Sequence, residues 1–114
     1  MNLPPKIQVL ERGWLSSNNI LIDDGDACTL IDSGYVAHAA QTLQLLQHAL
    51  GGKPLARLIN THCHSDHIGG NAAVQRAYGC RTSIPVGEAP AIAAWDEVTL
   101  MLSYTGQRAE RFSY

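Results

Sequence analysis

The chain has 114 residues, of which 46% are apolar and 16% are charged, and its formal net charge is −2. This length accommodates one domain with a modest core, and the apolar content excludes an intrinsically disordered chain. Only eight lysines and arginines are present, too few for the basic surface that binding to a nucleic-acid backbone requires.

Compartment and redox state can be inferred from the same composition. No apolar run is long enough to span a bilayer, and Met1 to Pro5 lacks the charged start and hydrophobic core of a signal peptide. We therefore expect a cytoplasmic protein with no membrane partner. Cys28, Cys63 and Cys80 are an odd number of cysteines at wide spacing, which predicts reduced thiols and no disulfide framework.

The first third of the chain predicts three β-strands. Residues 7–11 alternate apolar and polar side chains, as in a half-buried strand. Residues 19–22 and 27–31 are β-branched apolar runs separated by turn residues, the pattern of a β-hairpin. Trp14 lies just before this hairpin, and we expect it to pack against the strands.

Helices and strands alternate in the remainder of the chain. Residues 36–50 have an amphipathic helical period that ends at Gly51 and Gly52. His38 and His48 lie too far apart on this helix to chelate one ion, so we expect both to be exposed. A strand at 56–60, a helix at 71–78 and a strand at 81–84 follow in the sequence pattern. This order of elements predicts an α/β fold.

The last part of the chain has the weaker patterns. Residues 88–102 have a helical period, and we expect Asp96 and Glu97 to be solvated on its surface. Residues 103–114 carry no pattern that predicts a helix or a strand.

A cluster of metal-binding residue types follows the fourth predicted strand. His62, His64, Asp66 and His67 fall within six consecutive residues, and neutral imidazole and carboxylate are ligands that zinc and iron prefer. Alternate side chains of an extended segment share a face, so we expect His62 and His64 to bind one ion while Cys63 points away. Asp66 and His67 follow a bend and can reach a second, adjacent position.

This spacing suits two adjacent metal sites better than one closed tetrahedral site. Gly69 and Gly70 are expected to let the backbone turn sharply into the next helix. The alternatives are a chance histidine-rich loop or a structural ion. Structural zinc usually has four ligands, often cysteines, and the sequence contains neither a CxxC pair nor a second compact His/Cys cluster.

Two segments carry a family resemblance. Thr61 to Gly70, T-H-C-H-S-D-H-I-G-G, resembles the H-x-H-x-D-H motif of the metallo-β-lactamase-fold hydrolases. Leu30 to Gly34, L-I-D-S-G, resembles the strand-ending L-I-D-x-G segment of the same family. Asn71 fits the thioesterase-like, or hydroxyacylglutathione hydrolase-like, and lactamase-like branches. The resemblance implies that residues 1–114 are a partial domain, the N-terminal half of an αββα sandwich.

The resemblance also implies roles for the site residues. His62 and His64 would hold the first ion, and Asp66 and His67 the second, with zinc the usual metal and iron or manganese possible. A bound ion makes hydroxide available near neutral pH, and Asp66 is expected to orient the attacking water or accept its proton. Asp32, which in an arbitrary protein would be better explained as a turn cap, matches a family aspartate that supports the ligand loop without binding metal.

The implied activity is hydrolysis of a small-molecule ester, thioester, lactone or amide. The motifs bind metal and carry little information about the leaving group, so these substrate classes stay open. An iron-dependent sulfur dioxygenase on the same fold is one alternative. A truncated fragment with no catalytic activity is the other.

The chain departs from the family pattern after His67, because the later metal-binding histidines of the family have no counterpart in it. We expect either the N-terminal part of a longer protein or a short chain that completes its site with a partner. Half a sandwich leaves an apolar sheet face uncovered, which soluble monomers rarely tolerate. We therefore expect a homo-oligomer or a missing C-terminal half, and weak metal affinity unless another segment supplies ligands.

Overall fold

The structure is a computed structural model that describes residues 6–10, 19–103 and 108–114. Trp14, which we expected to pack on the hairpin, lies outside the described residues. The elements are β1 (Ile7–Leu10), β2 (Asn19–Asp23), β3 (Cys28–Ile31), α1 (Ala39–Leu50), β4 (Leu55–Ile59), α2 (Ser65–Ile68), α3 (Asn71–Tyr78), β5 (Arg81–Ser83) and α4 (Ala89–Ala94). Short 3₁₀ helices at Val36–His38 and Val86–Glu88 lead into α1 and α4.

The five strands form one mixed sheet in the order β1-β2-β3-β4-β5. β1, β2 and β3 pair antiparallel, whereas β3, β4 and β5 pair parallel. Parallel neighbours need a crossover connection, which α1 supplies between β3 and β4, and α2 with α3 between β4 and β5. The α/β prediction and the predicted hairpin are confirmed, with strand ends that differ by at most one residue.

One face of the sheet packs against α1 and α3. Leu30 of β3 and Leu58 of β4 are fully buried in one cluster with Leu46 of α1 and Val74 of α3. Burying a leucine side chain stabilises a fold by about 1.5–3 kcal/mol. This cluster therefore holds β3 and β4 together and fixes where their carboxyl ends lie.

The opposite face of the sheet carries a row of β-branched side chains. The register aligns Val9, Ile20, Ile31 and Ile59 across four neighbouring strands, and we call these four residues the aliphatic row. Successive residues of a strand point to opposite faces, so the aliphatic row faces away from the buried leucines. Val9 is 38% exposed, and the other three side chains are partly exposed.

The two longer helices end at glycines in the left-handed conformation, with φ of 57° at Gly51 and 61° at Gly79. These ends confirm the predicted C-terminal boundaries of both helices. α1 begins at Ala39, three residues after the predicted start, because residues 36–38 form a 3₁₀ helix. His48 is exposed on α1, as expected. His38 is half-buried beside Tyr35, with ring centroids 6.2 Å apart, so the expectation that it is exposed is wrong.

The helix predicted at residues 88–102 is wrong in length. α4 ends at Ala94 because Trp95 adopts a left-handed φ of 52°. The Asp96 side chain then accepts hydrogen bonds from the backbone N–H groups of Val98 and Thr99, at 3.2 and 3.3 Å. Asp96 thus caps a separate turn. A helical period in the sequence does not predict this role, because a solvated aspartate on a helix surface fits the same pattern.

The three cysteines of the chain lie in its interior. Cys28, Cys63 and Cys80 are free and buried, as the prediction of reduced thiols requires, and burial raises the pKa of the Cys63 thiol to about 12. Residues 108–114 contact α3, where Arg76 pairs with Glu110 at 2.6 Å, and the residue after α4, where the ring centroids of Phe112 and Trp95 are 6.1 Å apart. Within the described parts of the chain, every helix is too short or too polar to cross a bilayer.

Candidate metal centre

Two parallel strands bring the candidate residues to one edge of the sheet. Ile31 of β3 pairs with Ile59 of β4, and both strands end at this pair. Asp32 follows directly after β3, and the loop that leads to α2 follows β4. Carboxyl ends of parallel strands are where α/β sheets place ligands. The two segments that carry the family resemblance, Leu30 to Gly34 and Thr61 to Gly70, therefore meet where a site is expected.

Three of the predicted donors form one group. One potential ligand atom each from His62, Asp66 and His67 lies within 4.8 Å of the other two. The rings of His62 and His67 have centroids 3.8 Å apart, and Nε2 of His67 lies 3.2 Å from Oδ2 of Asp66. Two imidazoles and a carboxylate suit a divalent metal ion, and three protein ligands with an open position are typical of catalytic zinc.

His64 lies beside this group and outside it. Its ring is perpendicular to that of His62, with centroids 4.8 Å apart. A helical turn begins directly after His64, and this turn carries Asp66 and His67 back towards His62. The grouping therefore differs from the expected pairing of His62 with His64, while the assignment of donors to particular ions stays a prediction. Cys63 is fully buried in the core, as the alternation predicts.

Asp32 contacts the loop that carries the donors. Its Oδ2 lies 2.8 Å from Nδ1 of His67 and accepts a hydrogen bond from the Thr61 hydroxyl at 2.8 Å. Its Oδ1 accepts the Thr61 backbone N–H at 2.9 Å. Asp32 is a non-glycine residue with a φ of 61°, and its side chain is 5% exposed. Such a backbone conformation is costly and persists where surrounding contacts impose it.

A buried polar network holds the backbone at His67. The carbonyl oxygen of His67 accepts hydrogen bonds from the Ser33 backbone N–H at 2.9 Å and from Asn60 Nδ2 at 3.1 Å. Asn71 Nδ2 donates to Asn60 Oδ1 at 2.7 Å, and the Ser33 hydroxyl donates to Asn71 Oδ1 at 2.6 Å. Ser33, Asn60 and Asn71 are each at most 2% exposed. The position of His67 is therefore fixed from the interior as well as by Asp32.

Gly69 and Gly70 allow close approach of two backbone segments. The backbone turns at these two residues, between α2 and α3, as expected. Their φ angles of −58° and −90° are open to any residue, so the turn itself does not require glycine. A Cβ at Gly69 would overlap the backbone nitrogen of Val36 and lie 2.5 Å from the Tyr35 carbonyl carbon. A Cβ at Gly70 would lie 2.5 Å from the Ser33 carbonyl oxygen. The pair thus lets the donor loop lie against the segment after β3.

The environment shifts the pKa values of two histidines in opposite directions. Burial, with the neighbouring rings of His67 and His64, lowers the pKa of His62. Burial also disfavours a charged His67, but the hydrogen bond that Nδ1 of His67 donates to Asp32 and the negative charges of Asp32 and Asp66 outweigh it and raise the pKa of His67. His62 is therefore readily neutral, which is the form of imidazole that binds metal.

Several residues in this centre had no role in the sequence interpretation. Thr61 contacts Asp32 and two histidines, and Ser33 and Asn60 belong to the buried network. Glu88 accepts the Cys63 backbone N–H at 3.3 Å. The positions of Ser33, Asn60 and Thr61 at the carboxyl ends of adjacent strands were a usable signal, because such residues meet at one edge. Glu88 had no signal of this kind.

Comparison with known protein families gives a match over most of the chain. The model of the metallo-beta-lactamase superfamily matches residues 12–104. A probable metallo-hydrolase of Methanocaldococcus jannaschii is 35% identical over 92 residues, which cover 78% of this chain and 43% of the relative. A hydroxyacylglutathione hydrolase of Hyphomonas neptunium is 43% identical over 42 residues, which cover 37% of this chain and 16% of the relative. The chain thus spans less than half the length of these curated relatives.

Solved structures resemble the fold over a similar span. A variant of the metallo-beta-lactamase from Cronobacter sakazakii is 26% identical with a TM-score of 0.68, covering 82% of this chain and 37% of that one. A metallo-beta-lactamase from Novosphingobium pentaromativorans is 28% identical with a TM-score of 0.60, covering 68% of this chain and 29% of that one. The mixed sheet and its flanking helices are thus found again in known structures.

Proposed function

Because the chain belongs to the metallo-beta-lactamase superfamily, we propose that it supplies metal ligands to the site of a metal-dependent hydrolase of small molecules. The observation that carries this proposal is the group formed by His62, Asp66 and His67, whose ligand atoms lie within 4.8 Å of one another. The group lies at the carboxyl ends of β3 and β4, next to an acceptor that orients one of its rings.

The donor set supports a zinc site of one or two ions, with iron or manganese as the other candidates. His62, Asp66 and His67 would hold an ion, and His64 beside them would complete the ligands this chain offers. When bound, such an ion acts as a Lewis acid and makes hydroxide available near neutral pH. Imidazole nitrogens and carboxylate oxygens are suitable ligands for each of these metals.

The residues of the chain prepare this site in different ways. The lowered pKa of His62 keeps a nitrogen lone pair available. Asp32 accepts from Nδ1 of His67 and so directs Nε2 of that ring towards Asp66. The side chain of Asp66 is 34% exposed, so it can contact solvent. We assign to Asp66 the role of orienting the attacking water or accepting its proton.

The substrate class proposed is an ester, thioester, lactone or amide of a small molecule. Support for the thioester branch comes from the matching segment of the hydroxyacylglutathione hydrolase. The low count of basic residues also favours small molecules over nucleic acids.

A second protein layer is part of the proposal. The aliphatic row crosses four strands and stays partly exposed, and contiguous apolar surface of this kind marks an interaction site. We propose that a further segment of the parent protein, or a second copy of this chain, covers the row and contributes ligands to the metal.

Metal titration of the purified 114-residue chain tests the site. We expect zinc binding that His67→Ala weakens by at least about tenfold, because one of three grouped ligands is lost. His48→Ala is the matched control, since His48 is an exposed helix residue, and it should bind like wild type. Binding that is unchanged in His67→Ala would contradict the proposed site.

Hydrolysis tests the reaction separately. The metal-loaded chain would be assayed with a thioester, a lactone, a β-lactam and a simple ester, beside His67→Ala. Turnover that the variant loses supports the hydrolase. If the metal-loaded chain cleaves none of the four substrates, the non-catalytic alternative is favoured.

A further inference from the structure

We propose that Thr61 is a positioning residue that holds the ring proton of His62 on Nδ1, so that Nε2 is the nitrogen free for a metal ion. This inference rests on the proposed function, because it gives a reason for the orientation of one proposed ligand. It concerns the metal-free chain and is tested without metal or substrate. Its failure is therefore distinguishable from failure of the hydrolase proposal.

The Thr61 hydroxyl lies between one carboxylate and two imidazoles. Its oxygen is 2.8 Å from Oδ2 of Asp32. The same oxygen is 3.3 Å from Nδ1 of His62 and 3.3 Å from Nδ1 of His67. Each of these distances is within hydrogen-bond range, and the contact with Asp32 is the shortest.

The single proton of the hydroxyl decides the direction of these bonds. A carboxylate only accepts, so at 2.8 Å the proton must lie between Thr61 and Asp32. Towards His62 the hydroxyl oxygen can then only accept, and Nδ1 of His62 must carry the proton that it receives. In a neutral histidine the nitrogen that donates leaves the other as the acceptor. Nε2 of His62 therefore keeps its lone pair.

Asp32 restricts the movement of Thr61. Its Oδ1 accepts the Thr61 backbone N–H at 2.9 Å while its Oδ2 accepts the hydroxyl. One buried carboxylate thus holds both the backbone N–H and the side-chain hydroxyl of Thr61. The few rotamers open to a β-branched side chain restrict the hydroxyl further. Asp32 thus reaches two imidazoles, His67 directly and His62 through the hydroxyl of Thr61.

The tautomer of His62 can be measured by two-bond ¹H–¹⁵N correlation spectra of the ¹⁵N-labelled, metal-free chain. At about pH 8.5 a histidine with a lowered pKa is neutral, and the two tautomers have distinct nitrogen shifts. We expect the Nδ1–H form in wild type and in Thr61→Ser, which keeps the hydroxyl. Thr61→Val removes the hydroxyl at nearly constant volume, and we expect the Nε2–H form to become the major one.

Either of two results would overturn the inference. One is a wild-type His62 that carries its proton on Nε2. The other is a folded Thr61→Val chain in which the Nδ1–H form is retained. Backbone amide spectra establish that each variant is folded, and Thr61→Ala replaces Thr61→Val if the valine variant does not fold.

Discussion

Oδ2 of Asp32 lies 2.8 Å from Nδ1 of His67, although the two residues are 35 positions apart in the chain. A carboxylate that accepts from a ligand imidazole sets its orientation and raises its basicity. We expect Asp32→Asn to weaken zinc binding by about 10- to 100-fold. Competition with a chromophoric chelator measures the affinity. Asp26→Asn removes the same charge from an exposed turn and should bind zinc as wild type does.

The same contact predicts a pH dependence of stability without metal. The pKa of His67 is raised, so the folded chain binds this proton more tightly than the unfolded chain. The resulting stability is fully present below the ordinary pKa of about 6.5 and is lost as pH rises through the raised value. Asp32→Asn removes the carboxylate whose hydrogen bond and charge raise the pKa of His67.

We therefore expect wild type to exceed Asp32→Asn in free energy of unfolding by more at about pH 5.5 than at about pH 8.5. Urea titrations of the metal-free proteins at the two pH values provide the comparison. An equal difference at both pH values would show that protonation of His67 adds nothing to folding.

Gly69→Ala tests the close approach of the donor loop to the segment after β3. The added methyl group would meet backbone atoms of Gly34, Tyr35 and Val36, which cannot move aside as a flexible side chain can. We expect a loss of about 1–3 kcal/mol in the free energy of unfolding, as in other overpacked sites.

Gly87→Ala is the control for this substitution, because a Cβ at Gly87 meets no heavy atom within 4 Å. Its urea midpoint should stay close to that of wild type. If the two variants had the same midpoint, the close approach would not be the reason for glycine at position 69.

Asn71→Ala tests the buried network beneath His67. Without Asn71, donors and acceptors of Ser33 and Asn60 would lose partners in the interior, and each unsatisfied group costs about 1–3 kcal/mol. We expect a lower urea midpoint and weaker zinc binding together. Gln44→Ala, at an exposed position of α1, should change neither quantity.

The aliphatic row predicts concentration-dependent association of the isolated chain. Sedimentation velocity should show species larger than the monomer as concentration rises, and Ile20→Thr should reduce them by removing apolar contact area. Val98→Thr changes an 81% exposed valine outside the sheet and serves as the control. A wild-type chain that stays monomeric at every concentration would contradict self-association through this row.

The elements that the sequence predicts correctly are those determined by local interactions. The three- and four-residue period of α1, the turn before β3 and the glycines that end α1 and α3 are all local signals, and each was confirmed. The left-handed conformation of Trp95 has no such signal, because nothing in its side chain favours a positive φ.

The candidate centre was predictable in its residue types and less so in its arrangement. The ligand string identified His62, Asp66 and His67, but their grouping depends on a helical turn that starts at Ser65. The contacts from Asp32 to Thr61 and from Ser33 to Asn71 join residues 29 and 38 positions apart. Such pairs depend on how β3 and β4 pack together, which local patterns do not specify.

The parallel pairing of β3 and β4 also determines when the centre forms during folding. Asp32 meets Thr61 and His67 only after α1 has crossed over and the two strands have paired, and long loops close at an entropic cost before their contacts form. We therefore expect the donor group to form late in folding. We then expect bound metal to slow unfolding of the folded chain and to leave the refolding rate unchanged, because interactions that are absent from the folding transition state change mainly the unfolding rate.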